Sequence, residues 1–269
     1  MADDGTGSQP FFTRSGEQLV PAEHADSPWA PDMMHGRLFG GLLAREVENG
    51  HGDEEWHFAR LTVDLFRSAR LEPVRTTSTR VRDGRRIRVV DAQVHAGEKV
   101  VARASAVLLR RGAETAGTVA DTPPWTAPHP DELPAPRDRE QGWVPPFDTW
   151  MLDADNELSA DLSSGQARRA WLRDRHPLVS GEPVSPFARV ALAADFASPL
   201  ANYGPGGLEY INADYTLTLS RLPVSTEIGL ESTGHISDDG VAAAECTVHD
   251  TAGPLGFCAV TAVSNRPQG

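Results

Sequence analysis

The chain contains one sequence unit twice, and the two copies are displaced by 154 positions. Identical residues mark the displacement, namely Gly50 and Gly204, Arg67 and Arg221, and the Val-His dipeptides at 94–95 and 248–249. A duplication explains these matches more simply than chance, and it requires both halves to fold alike. Because a duplicated fold forms its ligand sites between the copies, we expect functional residues where the halves differ.

Each copy is predicted to fold as one central helix followed by antiparallel strands. Residues 33–50 and 187–204 align without a gap, are rich in Gly, Ala and apolar side chains, and fit a helical period. Residues 59–66 and 211–219 then alternate, and the alternation puts Asn212 on the polar face. Further strands are predicted at 74–82, 86–95, 99–109, 226–236, 241–249 and 255–263. The fold class is therefore α+β, with two antiparallel sheets that each wrap around a central helix.

A Pro-rich segment at residues 112–147 is predicted to be an extended connector, since Pro cannot supply the hydrogen bonds of a sheet. It separates an N-terminal unit at residues 1–111 from a C-terminal unit at residues 148–269. Four large aromatic residues are unusual in a free linker, namely Trp125, Trp143, Phe147 and Trp150. They either dock the connector against the body or take part in ligand binding.

The overall charge limits the choice of partners. A net charge of −13 and a pI of about 5.1 argue against nucleic acid, whose phosphates require clustered Lys and Arg. A basic cluster at residues 80–88 forms either a solvated hairpin or a contact to a ligand phosphate. The chain starts without a secretory pattern, and its least charged stretch, at 190–208, is interrupted by Asp195 and Pro. Because Cys246 and Cys258 also fit reduced thiols, we expect a cytoplasmic protein without a membrane span.

Several common catalytic motifs are missing from the sequence. It has no Gly-x-Ser-x-Gly elbow, no Gly-x-x-x-x-Gly-Lys phosphate loop and no Gly-x-Gly-x-x-Gly after a strand. Its closest His pair, His51 and His57, has neither a Cys partner nor the i, i+4 spacing of helical ligands. We therefore predict no metal site and no cofactor.

Gly40 and Gly41 lie one turn inside the first helix. Each Gly costs about 1 kcal/mol there relative to Ala, so the pair requires a reason. One reason is close packing against the sheet. The other is that bare backbone amides near a helix start can approach a carbonyl oxygen as it becomes an oxyanion.

At the position of Gly41, the second copy has Asp195, which is the clearest difference between the halves. The residues around this carboxylate are apolar, so its desolvation is costly unless it is hydrogen-bonded or faces a cavity. Asp195 is therefore either a general base acting on a water or a structural acid bonded to a neighbouring amide or hydroxyl.

Motifs from both halves, taken in order, resemble the acyl-CoA thioesterase-like proteins with a double hotdog fold. They span nearly the whole chain: WAP at 29–31, HG at 35–36, ARLTVDLFR at 59–67, RDGRR at 82–86, VARA at 101–104, AADF at 193–196, YINAD at 210–214 and GPLG at 253–256. The resemblance implies a tandem hotdog, in which each half wraps a sheet around a helix and the sheets continue side by side. It also implies a CoA thioester as substrate.

The resemblance gives Asp195 the role of orienting and activating the hydrolytic water. Family members of the medium-chain type pair this Asp with a hydroxyl residue early in the following strand and with a Gln in the last strand. Asn212 stands at the first position and can still donate a hydrogen bond. Either Val260 or Thr261 stands at the Gln position, and only Thr261 can hold a water.

The first half departs from many relatives at one place. They have His-Gly-Gly where this chain has His35-Gly36-Arg37. The Arg37 side chain either crowds an oxyanion site or binds an anionic group of the ligand.

The leading hypothesis is hydrolysis of an acyl-CoA to a free acid and coenzyme A, as part of lipid metabolism. The predicted catalytic residues are Asp195 as base, with Asn212 and Thr261 as partners of the water or the carbonyl. The predicted substrate-binding residues are His35, Gly36, Arg37 and Gly41.

Two other classes of function compete with this hypothesis. A non-catalytic acyl-thioester binding protein keeps the substrate tunnel without turnover, which the missing Gln favours. A hydratase acting on an enoyl thioester requires an Asp and a His at one carbon, and Asp32 with His35 is the only nearby pair. A homodimer is expected as well, because an exposed sheet edge is a liability unless it is paired.

Overall fold

The computed structural model describes residues 8–117, 119–136, 143–159 and 169–265. Its helices are α1 (Gly36–His51), α2 (Pro186–Ala194) and α3 (Ala197–Asn202), with short 3-10 turns at Glu23–Ala25 and Pro130–Glu132. The strands of the N-terminal half are β1 (Phe12–Ser15), β2 (Gln18–Pro21), β3 (Asp26–Ser27), β4 (Ala30–Met34), β5 (Trp56–Leu65), β6 (Val74–Asp83), β7 (Ile87–Ala96) and β8 (Lys99–Arg110). Those that follow are β9 (Phe147–Leu152), β10 (Arg169–Asp174), β11 (Tyr203–Gly204), β12 (Gly207–Leu208), β13 (Tyr210–Asn212), β14 (Asp214–Leu219), β15 (Ile228–Asp238), β16 (Val241–Asp250) and β17 (Gly253–Ser264). Each predicted strand is confirmed, although residues 211–219 form two strands rather than one.

Thirteen strands form one continuous sheet with the order β1-β2-β6-β7-β8-β5-β14-β17-β16-β15-β10-β9, and β13 pairs with β17 beside β14. The halves join where β5 and β14 pair in antiparallel register. The sequence predicted two sheets, and the resemblance implied that they continue side by side; the β5–β14 pair joins them into one sheet. Without this pair, each half would expose the backbone of its own edge strand. The strand order is symmetric about this junction.

The internal repeat is confirmed by the register of the strands. Val94 on β7 faces Ala102 on β8, and Val248 on β16 faces Gly256 on β17. Each residue of the second pair lies 154 positions after its counterpart in the first pair. A bulge follows Val94 in the first half and Val248 in the second. At the centre of the sheet Thr62 pairs with Thr216, 154 positions away, and their hydroxyl oxygens lie 3.1 Å apart.

The helices supply the apolar side chains that fill the core. α1 packs against α2, and both contact strands of the sheet. Leu38 and Leu42 of α1 and Val190 and Leu192 of α2 are fully buried. Within the described residues, no helix combines the length and the apolar character that crossing a membrane requires.

The second copy does not contain the single helix that the sequence predicted. α2 ends before Asp195 and α3 begins after Phe196. Pro199 explains the break, because it has no N–H for the carbonyl four residues back and its ring clashes with that carbonyl. Here the backbone N–H groups bond to the carbonyl three residues back instead of four. Phe196 N donates to Ala193 O over 3.0 Å, and Ser198 N donates to Asp195 O over 3.2 Å.

The described part of the connector docks against the sheet through Trp125 and Trp150, as one of the two alternatives for its aromatic residues expects. Trp125 stacks on Trp171 of β10 with ring centroids 4.6 Å apart, and a Cβ on Gly229 of β15 would overlap the Trp125 ring. Trp150 lies in β9 and donates its Nε1–H to Pro134 O over 2.8 Å. The connector therefore covers the face of β10 and β15 that is turned away from α2.

Candidate active site

Asp195 lies at the break between α2 and α3. Its Oδ1 accepts a hydrogen bond from Nδ2 of Asn212 over 3.1 Å. Oδ2 has no hydrogen-bond partner among the described residues. Burial raises the pKa of the Asp195 carboxyl, while the bond from Asn212 and the nearby Arg37 cation lower it less strongly. One carboxylate oxygen is thus held in place, and the other is available to a proton.

A bulge in the sheet brings Asn212 to Asp195. On β17 the partner of Asn212 is Ala262, whereas the partner of Thr216 is Ala259, so the pairing shifts by one residue near Ala213. Such a shift moves every side chain before the bulge to the opposite face. The strict alternation read from the sequence put Asn212 on the outer, polar face. The structure corrects this placement.

The helix break leaves two carbonyl groups of α2 without the usual bonds, and distant side chains satisfy them. Tyr215 on β14 donates its hydroxyl hydrogen to Ala191 O over 2.9 Å. Arg37 on α1 donates its Nε–H to Leu192 O over 3.4 Å. Because an unpaired buried carbonyl is costly, these two residues stabilise the backbone that presents Asp195.

Arg37 is almost completely buried, with 3% of its surface exposed. Its Nη2 donates to Oδ1 of Asp174 on β10 over 2.5 Å, and its Cζ lies 4.4 Å from the ring centroid of Phe147. The third nitrogen, Nη1, is buried and has no hydrogen-bond partner among the described residues. Neither Asp174 nor the unused Nη1 was identified from the sequence.

His35 and Gly36 form the start of α1. His35 is the N-cap residue, and its Nδ1 accepts a hydrogen bond from Arg37 N over 3.3 Å. Burial and the adjacent Arg37 cation lower the pKa of His35 to about 3, so its imidazole is neutral at physiological pH with the hydrogen on Nε2. Its ring lies 5.4 Å from that of Trp143, and a Cβ on Gly36 would meet only ordinary contacts.

Gly40 and Gly41 are packing residues in this structure. A Cβ on Gly40 would overlap the Tyr215 hydroxyl, and a Cβ on Gly41 would lie 2.6 Å from Cδ2 of Leu192. The geometry therefore favours the packing alternative, with α2 and Tyr215 as the neighbours. The expected role of Gly41 in substrate binding gains no support from this position.

Thr261 does not join Asp195 and Asn212. It is exposed on the outer face of β17, where its N–H and hydroxyl bond to the carboxylate of Asp214 over 3.0 and 2.9 Å. The side chains of β17 that point to the helices are apolar or thiol groups, namely Leu255, Cys258, Val260 and Ala262. The sequence placed the family Gln position at Val260 or Thr261; Val260 is buried and apolar, and the residue opposite Asn212 is Ala262.

A second group of hydrogen-bonded polar side chains follows Asp195 along α3, and it was not identified from the sequence. Asn202 donates its Nδ2 hydrogen to Oγ of the fully buried Ser198 over 3.3 Å. Oδ1 of Asn202 lies 3.0 Å from Nδ1 of His235. Asp195, Ser198 and Asn202 follow one another at helical spacing, which was the available sequence signal.

Other candidates lie elsewhere. Asp32 is exposed and lies 3.7 Å from Nε of Arg70, so it does not converge with His35. In the basic hairpin, Arg80 and Arg88 pair with Asp83 over 2.9 and 3.0 Å, which favours a solvated hairpin. The described residues contain no group of three or more His, Cys, Asp or Glu that could hold a metal ion.

The chain is an α+β protein in which helices pack on one face of a long antiparallel sheet and an acid lies at a helix break beneath it. A hotdog protein from Alicyclobacillus acidocaldarius has a similar structure, with a TM-score of 0.68, 16% identity and 96% of each chain covered. The chain belongs to the acyl-CoA thioesterase family. Residues 25–109 match the N-terminal domain of that family, and residues 120–263 match its C-terminal domain.

Two further solved structures share the fold. One is the TesB protein of Mycobacterium avium subsp. paratuberculosis, with a TM-score of 0.63, 15% identity, and 94% of this chain and 95% of the other covered. The other is the acyl-CoA thioesterase II TesB2 of Mycobacterium marinum, with a TM-score of 0.60, 18% identity, and 92% and 98% covered. No curated protein sequence matches the chain significantly.

Proposed function

We propose that the protein hydrolyses acyl-CoA thioesters to a free acid and coenzyme A, with Asp195 as the general base. Membership of the acyl-CoA thioesterase family supports thioester hydrolysis in general. The observation that carries the specific proposal is the Asp195–Asn212 pair. One carboxylate oxygen is fixed by a 3.1 Å hydrogen bond, and the pKa of the carboxyl is raised by burial. A base works best when its pKa approaches the working pH.

In the proposed reaction, Oδ2 of Asp195 accepts a proton from a water molecule as the water oxygen bonds to the thioester carbon. The electron pair of the carbonyl bond moves to its oxygen, which becomes an oxyanion. When the oxyanion collapses, the C–S bond breaks and the sulfur leaves with the proton from Asp195. Asn212 holds the carboxylate so that Oδ2 faces the water.

The proposal includes a tandem of two hotdog units, at residues 1–111 and 148–269, joined by the connector at 112–147. The equal registers of the two halves support this division. In this arrangement, the start of α1 and the end of α2 come from different units, and the acyl-CoA binds between them near His35, Gly36 and Arg37. The homodimer and the cytoplasmic location stay predictions from the sequence.

Release of free thiol from short, medium, long and aromatic acyl-CoAs tests the proposal. The natural protein is compared with Asp195→Asn, which keeps the shape and can still accept the bond from Asn212. Loss of one general base typically lowers kcat by about 10²–10⁴-fold. Asp214→Asn is the matched control, because Asp214 bonds to Thr261 on the outer face of the sheet. Full activity of Asp195→Asn, or equal loss in both variants, would contradict the assignment.

A non-catalytic acyl-thioester binding protein is the second candidate, and one observation favours it. The residue opposite Asn212 is Ala262, which offers no polar group to a water. Under this alternative the natural protein binds acyl-CoA but releases no thiol from any member of the panel. The Asp195→Asn variant then binds acyl-CoA as tightly as the natural protein.

A further inference from the structure

The Arg37 guanidinium is a buried cation, and one of its nitrogens has no hydrogen-bond partner among the described residues. Its Nε–H and Nη2–H groups bond to Leu192 O and Asp174 Oδ1. Nη1 is buried without a partner among the described residues. Since an unpaired donor on a buried charged group is costly, this nitrogen is expected to meet an acceptor that arrives with a ligand.

Arg37 lies beside the acid that the proposed hydrolysis uses. It bonds to the carbonyl of Leu192, three residues before Asp195. The guanidinium also lies over the ring of Phe147, and that ring makes an edge contact with Phe196, the residue after Asp195. The same contacts fix the guanidinium, because a planar group bound at two edges and one face cannot rotate.

The charges near Arg37 decide which acceptor fits. The ion pair with Asp174 already neutralises the guanidinium, and ionised Asp195 adds one negative charge. A ligand with its own anionic group would add a second negative charge at this place. In contrast, hydrolysis only transfers charge, because Asp195 becomes neutral when it takes the proton and the thioester oxygen becomes negative. An oxyanion therefore fits the site better than an anionic acyl group does.

Neither the inward side chains of β17 nor the backbone N–H of Arg37 offers this oxygen a free donor. The inward side chains of β17 near Asn212 are Val260 and Ala262, which donate no hydrogen bond. The backbone N–H of Arg37 is already bonded to Nδ1 of His35. A fixed donor aimed at developing charge is worth far more in a water-poor site than in bulk water.

We propose that Arg37 is a catalytic residue whose Nη1 donates to the thioester carbonyl oxygen and stabilises the oxyanion formed during hydrolysis. This inference rests on the proposed function. It differs from both roles that the sequence suggested for Arg37, since the side chain neither blocks the oxyanion site nor binds an anionic acyl group.

The test compares Arg37→Met, Arg37→Lys and the natural protein by kcat, KM and affinity for a non-hydrolysable thioether analogue of acyl-CoA that keeps the carbonyl, with a methylene group between the carbonyl carbon and the sulfur. Arg37→Met is expected to lower kcat by about 10²–10³-fold, as measured for other oxyanion donors. The affinity for the thioether should change little, because the contact becomes strong only in the transition state. The acid limb of the kcat profile should move to higher pH, because the Arg37 cation lowers the pKa of Asp195.

Two further variants keep the test decisive. Arg37→Lys retains the charge next to Asp174, but one ammonium cannot reach Asp174, Leu192 O and the substrate together, so kcat should still fall. Arg45→Met is the matched control, since Arg45 lies on the same helix and pairs with Glu182 over 2.6 and 2.7 Å. It should keep the natural kcat, and thermal unfolding of all variants shows whether they are folded.

The outcomes separate the two proposals. If the natural protein hydrolyses thioesters and folded Arg37→Met or Arg37→Lys does so at the same rate, the role of Arg37 is wrong and the proposed function stands. If thioether affinity falls as much as kcat/KM, Arg37 binds the ground state, and the oxyanion role is again wrong. If the natural protein hydrolyses no thioester, the proposed function itself fails, and the role of Arg37 fails with it.

Discussion

Asn212 donates a hydrogen bond to Asp195 across 3.1 Å because a bulge at Ala213 turns its side chain toward the helix break. The Asn212→Leu variant removes the donor at similar volume. We expect kcat to fall by about tenfold, which is the order of one hydrogen bond to a charged group. The acid limb of the pH profile should move to higher pH, since this bond lowers the pKa of Asp195.

The control for this variant is Thr261→Val, which removes a hydroxyl on the outer face of the neighbouring strand. It should leave both kcat and the pH profile unchanged. A loss of activity equal to that of Asn212→Leu would mean that the outer face takes part in the reaction.

Asp195→Asn is expected to stabilise the fold while it removes activity. Burial raises the pKa of Asp195 in the folded state, so the ionised carboxylate costs stability at neutral pH. This cost is absent below the ordinary Asp pKa of 3.8 and grows as pH rises through the folded-state pKa. Urea unfolding at pH 7 should give a variant that is more stable than the natural protein, and the difference should vanish toward pH 4. If Asp195→Asn and the natural protein had the same free energy of unfolding at every pH, the raised pKa of Asp195 would be wrong.

His35 combines an N-cap with a depressed pKa, and two variants separate these effects. His35→Ala should lower the free energy of unfolding by about 1 kcal/mol, the usual cost of losing a cap, whereas His35→Asn keeps an acceptor for Arg37 N. The folded pKa of about 3 lies below the ordinary 6.5, so His35 contributes stability above pH 6.5 that is lost as pH falls toward 3. Between pH 7.5 and pH 5, the natural protein should therefore lose more stability than His35→Asn. Equal losses would indicate that burial does not lower the pKa of His35.

Gly40→Ala is expected to destabilise the protein by about 1–3 kcal/mol, the typical cost of overpacking a core. The new methyl group would overlap the Tyr215 hydroxyl and lie 3.2 Å from Ala191 O. The Tyr215→Phe variant removes the hydroxyl, so the double variant should lose less than the sum of the two single losses. Urea midpoints of the four proteins measure this coupling. Additive losses would show that the hydroxyl and Gly40 do not compete for the same space.

The sequence alone determined the parts of the fold that depend on local pattern and on the repeat. Alternation of apolar and polar residues located β5 to β8 and β14 to β17, because a half-buried strand has a period of two residues. The constant displacement then predicted that both halves share one set of registers. It also drew attention to Asp195, since this acid replaces Gly41 within an apolar segment.

The resemblance paired Asp195 with Asn212, but only the tertiary structure decided how these two side chains meet and which others lie beside them. A one-residue bulge turned Asn212 inward and left Thr261 outside, and alternation along a single strand carries no sign of it. Arg37 reaches Leu192 across 155 positions and Asp174 across 137. Such contacts depend on how α1, α2 and β10 pack in three dimensions, because the energies that fix them arise from burial and pairing between distant segments rather than from local sequence preference.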